Sequence, residues 1–202
     1  MKWLGASLAM MVLLLSGCAG DLLRSKVEEP TLYTLRADGV ATANVAYPVT
    51  LRVALPQAAP GLDTDRIAVL KTPVLDYYLG ARWSGDAAQV VQSYLISYLQ
   101  TGGGYKNVVS DAVAVDADYS LVLELRDFQA EYASKKTPVV HVALAGALVD
   151  VKQRRTVAVL QSTGSVMVAD NRLDAVIDAF NQAMQQVSAQ LVTQLQQGLA
   201  TP

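Results

Sequence analysis

Tyr119-Ser120-Leu121-Val122-Leu123-Glu124-Leu125-Arg126 alternates without a fault. Tyr119, Leu121, Leu123 and Leu125 fall on one face, and Ser120, Val122, Glu124 and Arg126 on the other. That period of two is the mark of a strand with one side in a core. Phe128 to Tyr132 continues it past an irregularity near Asp127. Ser134-Lys135-Lys136-Thr137-Pro138 reads as a polar turn. Val139 to Val151 then returns, apolar on both faces as far as Val149, as expected of a strand in the middle of a sheet. Lys152-Gln153-Arg154-Arg155 is a second exposed turn, and Val157-Ala158-Val159-Leu160 leads into a third strand reaching Val168. Three strands joined by short polar turns predict an antiparallel meander.

Downstream the period changes. Leu173, Val176, Ile177, Phe180, Met184, Val187, Leu191 and Leu195 recur at steps of three and four. This predicts a long amphipathic helix packing one face on a sheet. Asn171 is placed to cap it, with Asp174 reaching back. Gln182, Gln185, Gln186, Gln190, Gln194 and Gln196 fill most of the opposite side. Phe180 and Met184 lie on the apolar stripe and read as core.

Upstream, Thr31 to Leu35 reads as a first strand and Val49 to Leu55 as a second, closed by Pro56. Ala58 to Asp63 reads as a turn-rich connector. Ile67 to Leu70 and Val74 to Leu79 read as strands around a Lys71-Thr72-Pro73 turn. Ser84 or Asp86 opens a helix. Its apolar face is Val90, Val91, Tyr94, Leu95, Tyr98 and Leu99, and Gly102-Gly103-Gly104 ends it. Asn107-Val108-Val109 is a short strand. The expected architecture is one α/β domain over residues 31–202. A mixed sheet of about five or six main strands carries two principal helices.

The chain before this domain has a different logic. Lys2 is followed by an almost wholly apolar run, Leu4 to Leu15, and then by Ser16-Gly17-Cys18. The run is shorter than the roughly 20 residues of a spanning helix. It has the charged start, apolar middle and small-residue end of a secretory signal. Leu15-Ser16-Gly17-Cys18 is similar to the lipobox of bacterial lipoproteins, where the signal is cut and lipid is attached to the cysteine. Residues 1–17 then form a signal peptide, Cys18 the lipidation site, and residues 18–30 a polar tether. A plain signal with an incidental cysteine, or an N-terminal anchor helix, are the other readings. Cys18 is the only cysteine in the chain, so no disulfide competes for it. Ala19, not Asp, follows it, which by the sorting rule of enteric bacteria favours the outer membrane over the inner one.

Composition excludes several functions. The formal net charge is −2, and there is no Lys/Arg run, so nucleic acid is not an expected partner. His141 is the only histidine and lies inside a predicted strand, where it reads as structural. No serine sits in a nucleophile-elbow pattern. Asp63 and Asp65, and Asp111, Asp116 and Asp118, match no calcium loop. Gly102-Gly103-Gly104 follows a helix and lacks the Lys-Ser/Thr of a phosphate loop. No cofactor, metal or enzymatic activity is expected.

One segment asks for a different account. Leu75-Asp76-Tyr77-Tyr78-Leu79-Gly80-Ala81-Arg82-Trp83 gathers two tyrosines, an arginine and a tryptophan. These residue types are enriched at binding hot spots. Tyr77, Tyr78, Arg82 and Trp83 are the candidate interface residues. The alternative is that the aromatic side chains alternate inward and pack under the first helix.

With these pieces in order, the chain resembles the ABC-type transport auxiliary lipoprotein family, typified by the paraquat-inducible protein C lipoproteins. The resemblance rests on Cys18 and its lipobox, Tyr33-Thr34-Leu35, Leu51-Arg52-Val53 and Gly61-Leu62-Asp63-Thr64-Asp65-Arg66-Ile67. It continues through Tyr77-Tyr78 with Arg82-Trp83, the helix from Ala87, and the Tyr119 to Leu125 strand with Phe128. It implies an α/β sandwich similar to the anticodon-binding and TolB N-terminal folds. It also implies a periplasmic, lipid-anchored partner of an ABC permease and ATPase system carrying an MCE-domain (mammalian cell entry) protein. Such systems are thought to move lipids or hydrophobic molecules across the envelope. The lipoprotein would dock the MCE protein or another copy of itself, a possible homo-oligomer. The alternative function is an outer-membrane lipoprotein that regulates a cell-wall or envelope-assembly enzyme by contact. A third idea, lipid held in a pocket between sheet and helices, follows from the 52% apolar content.

Overall fold

The computed structural model describes residues 29–44, 46–133 and 137–200. Cys18, the signal and tether before residue 29, and the Lys135-Lys136 turn lie outside the described residues. Along the chain run β1 (Thr31–Tyr33), β2 (Tyr47–Val53), β3 (Gln57–Ala58), β4 (Arg66–Lys71), β5 (Val74–Trp83) and α1 (Ala87–Gly102). They are followed by β6 (Tyr105–Ser110), β7 (Tyr119–Glu131), β8 (Val139–Asp150), β9 (Arg155–Met167) and α2 (Leu173–Ala200).

The meander is present, and β7 is its hinge line. Leu121, Leu123 and Leu125 are buried while Val122, Glu124 and Arg126 are exposed. The register to β8 slips between Leu125 and Asp127. One extra residue there moves the inward set from odd to even positions, so Phe128 and Ala130 enter the core instead of facing out. One edge of β7 pairs antiparallel with β8 along its whole length. Its other edge serves three strands in turn, all parallel: β2 at Tyr119–Leu121, β3 at Glu124–Leu125 and β4 at Gln129–Glu131. The sheet therefore splits beyond β7 into two wings. β2 pairs parallel with β6 in one, and β4 pairs antiparallel with β5 in the other, with β1 parallel to β5 outside it.

Nine strands form this one sheet, more than the five or six main strands expected. The excess lies in short pieces. β1 has three residues and β3 two, and β3 falls at the start of the stretch read as a connector, where too few residues alternate to show a period. β8 lies between β7 and β9, in agreement with its apolar sequence.

Both helices join one continuous core with the inward rows of the sheet. α1 buries Val90, Val91, Tyr94, Leu95 and Leu99, and α2 buries Val176, Phe180, Met184, Val187, Leu191 and Leu195. Asp86 opens α1, its N–H bonded to the Gln89 side chain at 3.2 Å. The expected cap of α2 is not formed by Asn171. Helical residues begin at Leu173, and the Val176 N–H bonds back to the Arg172 carbonyl at 3.2 Å. Asn171 Oδ1 instead accepts from Tyr132 Oη at 2.6 Å, and Asp174 accepts from Tyr33 Oη at 3.2 Å. Partners distant in sequence have drawn both side chains away from the local helix end.

Two glycines stand at close backbone approaches, Gly146 against the neighbouring strand β7 and Gly164 against α2. A Cβ on Gly146 would stand 2.0 Å from the Val122 carbonyl oxygen, and one on Gly164 would stand 2.5 Å from that of Ala183. Both obstacles are backbone, so neither can swing aside. Gly146→Ala should destabilise the domain by about 1–3 kcal/mol, the usual cost of overpacking. Chemical denaturation would show it as a lower midpoint at unchanged slope.

Candidate docking surface

The β4–β5 hairpin carries the aromatic segment, and its shape comes from a bulge. Arg66 faces Arg82 and Ala68 faces Tyr77, so β4 advances two residues while β5 advances five. The surplus lies at Tyr78-Leu79-Gly80-Ala81, where Leu79 and Gly80 are exposed while Ala81 turns back into the core. Gly80 has φ +68°, a conformation a side-chain-bearing residue adopts at a cost. Leu79 is lifted to the crest and is 92% exposed. Val74 and Leu75, nearer the turn, are also exposed.

The residues around Leu79 are held firmly. Tyr77 Oη donates to the Gly61 carbonyl at 2.9 Å, and the Arg66 guanidinium stands 3.7 Å from the centre of its ring. Tyr78 Oη lies 3.1 Å from Tyr132 Oη, which donates onward to Asn171. Burial, and then the bond to Tyr132, push the Tyr78 phenol well above its ordinary range, so it stays a neutral donor. Arg82 Nη1 donates to both carboxylate oxygens of Asp65, at 2.7 and 2.9 Å. A half-exposed pair of this kind adds little stability but fixes the arginine in place.

Two open clefts meet at the crest. One, of about 490 Å³, is lined by Val69, Tyr77, Tyr78, Leu79 and Tyr132 among others. The other, of about 310 Å³, is lined by Pro30, Arg66, Leu79 and Arg82 among others. Neither lies between sheet and helices, where Leu121, Leu125, Leu95, Val187 and Leu195 fill the space at under 2% exposure.

Of the four residues singled out in the sequence, Tyr77, Tyr78 and Arg82 reach this surface and Trp83 does not. Trp83 is 1% exposed. Its ring centre lies 5.2 Å from that of Phe128 and 5.1 Å from that of Phe180. It turns inward at the strand end and packs on Phe128 and on Phe180 of α2, rather than under α1 as the alternative had it, which removes it from the surface. The sequence reading overlooked Leu79, Tyr132, Asn171 and Asp65. For Leu79 a signal exists, since a glycine inside a strand pattern marks a bulge. Tyr132 and Asn171 carry none, because only the fold brings them together.

The described residues contain no group of three or more His, Cys, Asp or Glu placed to hold a metal. The structure does bring Ser165, His141 and Glu131 into line on the outer sheet face. His141 Nδ1 lies 3.0 Å from Ser165 Oγ, and its Nε2 lies 3.5 Å from Glu131 Oε2. Ser165 sits mid-strand with its N–H bonded to Gln186, where it cannot help hold an oxyanion. The trio reads as a cross-strand polar cluster, with Ser165 hydrogen-bonded to the histidine and Glu131 within ion-pair distance of it. No helix among the described residues is long and apolar enough to cross a membrane.

The fold and surface together define a two-layer α/β domain whose exposed aromatic hairpin offers contact area rather than reactive groups. The chain belongs to the ABC-type transport auxiliary lipoprotein family: the family's sequence model, described as the ABC-type transport auxiliary lipoprotein component, matches residues 33–192. It is therefore an auxiliary lipoprotein component of an ABC-type transport system. Among solved structures, a DUF330 protein from Xanthomonas campestris is 31% identical, with TM-score 0.71 over 85% of this chain and 100% of that one. An uncharacterized protein is 14% identical, with TM-score 0.61 over 83% and 99%, and shares the fold. A PelC dodecamer from Paraburkholderia phytofirmans is 16% identical, with TM-score 0.47 over 75% and 92%. A search of the curated proteins finds no match.

Proposed function

We propose that this protein is the lipid-anchored periplasmic accessory subunit of an MCE-type ABC system that moves lipids or hydrophobic molecules across the envelope. Residues 1–17 are its signal peptide, Cys18 its lipidation site and residues 18–30 its tether, with the outer membrane as the anchoring leaflet. The family match over residues 33–192 carries this reading. The domain docks its partner, the MCE-domain protein or a further copy of itself, through the hairpin surface formed by Tyr77, Tyr78 and Arg82 around Leu79. What supports that choice is a leucine held out at 92% exposure beside fixed tyrosines. An apolar crest with aromatic neighbours is the composition of an interface centre.

Leu79→Asp tests the surface cleanly, because the side chain touches almost nothing in the isolated domain. Its stability should stay within about 0.5 kcal/mol of the parent. Capture of the MCE protein on co-purification should fall by tenfold or more, as expected for loss of a residue contributing about 1.4 kcal/mol or more. Undiminished capture by the variant would remove the hairpin from the interface. A wild-type protein that crosslinks to no MCE partner in whole cells would sink the transport reading itself.

A further inference from the structure

β9 is the end strand of the meander and, among the described residues, pairs only with β8. In an antiparallel ladder alternate residues turn both their N–H and their C=O away from the partner. On β9 these include Gln161, Thr163 and Ser165, whose outward groups meet glutamine side chains of α2. Gln194 Oε1 accepts from the Gln161 N–H at 2.9 Å, and Gln194 Nε2 donates to the Gln161 carbonyl at 2.9 Å. Gln190 does the same for Thr163, at 3.1 and 2.8 Å. Gln186 Oε1 accepts from the Ser165 N–H at 3.2 Å.

We infer that Gln186, Gln190 and Gln194 act as a surrogate tenth strand, closing the β9 edge of the sheet against pairing with a second copy of this chain. The chemistry and the spacing both fit. A glutamine amide carries the same donor and acceptor as a peptide group. Four residues of helix rise about 6.0 Å, and two residues of strand about 6.6–6.8 Å. Three successive rungs, two steps apart in all, therefore stay in register. The helix index falls by four each time the strand index rises by two, so α2 runs antiparallel beside β9. Gly164 lets it come that close, since its missing Cβ leaves room for the Ala183 backbone.

Fold stability alone does not account for the ladder. Gln186 and Gln190 are exposed, and water would satisfy the same strand groups nearly as well. Holding three long side chains in one geometry also has an entropic cost. What water cannot do is exclude another strand. This edge has reason to need exclusion, because the outer face of β9 carries Val159 at 83% and Met167 at 63% exposure. A long open edge beside exposed apolar side chains is a template for edge-to-edge pairing. Without the ladder two copies would add β9 to β9, antiparallel about a two-fold axis, into one continuous sheet. Contacts with partners are thereby directed away from this edge. The inference stands on the hydrogen bonds alone and does not depend on the anchor or on the docking hairpin.

The test is the triple variant Gln186→Ala, Gln190→Ala, Gln194→Ala, made in the full-length chain and compared with wild type in the same detergent. Hydrogen exchange at the Gln161, Thr163 and Ser165 amides should speed up by about tenfold or more in dilute protein, with β8 amides unchanged. Sedimentation should show species of twice the wild-type assembly mass, growing with protein concentration. Unchanged exchange would overturn the inference, and so would faster exchange without new species. If the triple variant does not fold, Gln190→Ala alone decides. It should quicken exchange at Thr163 and raise self-association, and the absence of either result counts against the ladder.

Discussion

Trp83→Ala should lower the unfolding free energy by about 3–5 kcal/mol, the range for emptying a large aromatic site in a core. That is a large share of the total stability of a domain this size. Trp83, Phe128 and Phe180 form one cluster, with the two phenylalanine ring centres 4.9 Å apart. They come from β5, β7 and α2, so the cluster ties the hairpin wing, the central strand and the long helix together. The backbone around Trp83 is engaged as well, its N–H bonding the Asp65 carbonyl at 2.7 Å. The side chain is where the loss falls. A second variant separates packing from polarity, because the buried indole Nε1 has no hydrogen-bond partner among the described residues. Trp83→Phe removes that unpaired donor along with part of the volume. Relief of the donor offsets some of the lost contact, since an unsatisfied buried N–H costs about 1–3 kcal/mol. Denaturant midpoints should therefore rank wild type, then Phe, then Ala, with the Phe variant closer to wild type. An alanine variant as stable as the parent would mean that the three-ring cluster does not hold these elements together.

Legibility followed the length of the pattern. The meander and α2 were visible because eight or more consecutive positions share one period, whether two for Tyr119 to Arg126 or 3.6 for Leu173 to Leu195. The bulge between Leu125 and Asp127 also left a trace, as the parity of inward residues changes across it. Features made by partners far apart in sequence left none. Asn171 and Asp174 had the right types and positions for a helix cap, yet Tyr132 and Tyr33 claimed them. The glutamines of α2 read as a polar face toward solvent, because nothing local shows that the edge of β9 lies beside them. The hairpin fell between these cases. Its residue types announced an interface, but the Gly80 bulge decided which side chains face out. Strict alternation from Trp83 would have turned Leu79 inward, and the surplus residues of β5 expose it instead.

Cys18→Ser, made behind a signal peptide that is cut without lipidation, should move the protein from the membrane fraction to the soluble fraction and abolish incorporation of labelled fatty acid. The domain fold should be untouched, since the described residues reach their packing without the anchor. The effect is close to all-or-none because attachment scales with buried chain length, at about 0.8 kcal/mol per CH₂. A multiply acylated cysteine holds effectively permanently, and a serine in the same place supplies no thioether. Partner capture in cells should fall as well, even with the Leu79 surface intact. On the proposed reading a tether over residues 18–30 would keep the domain at a high effective concentration near its partners, and a freely diffusing domain would lose that advantage. Leu79→Asp gives the complementary result, full membrane attachment with weakened capture. The pair of variants thus separates where the domain is held from what it holds on to. Retention of the Cys18→Ser variant on membranes after a high-salt wash, with its signal removed, would refute the lipid anchor.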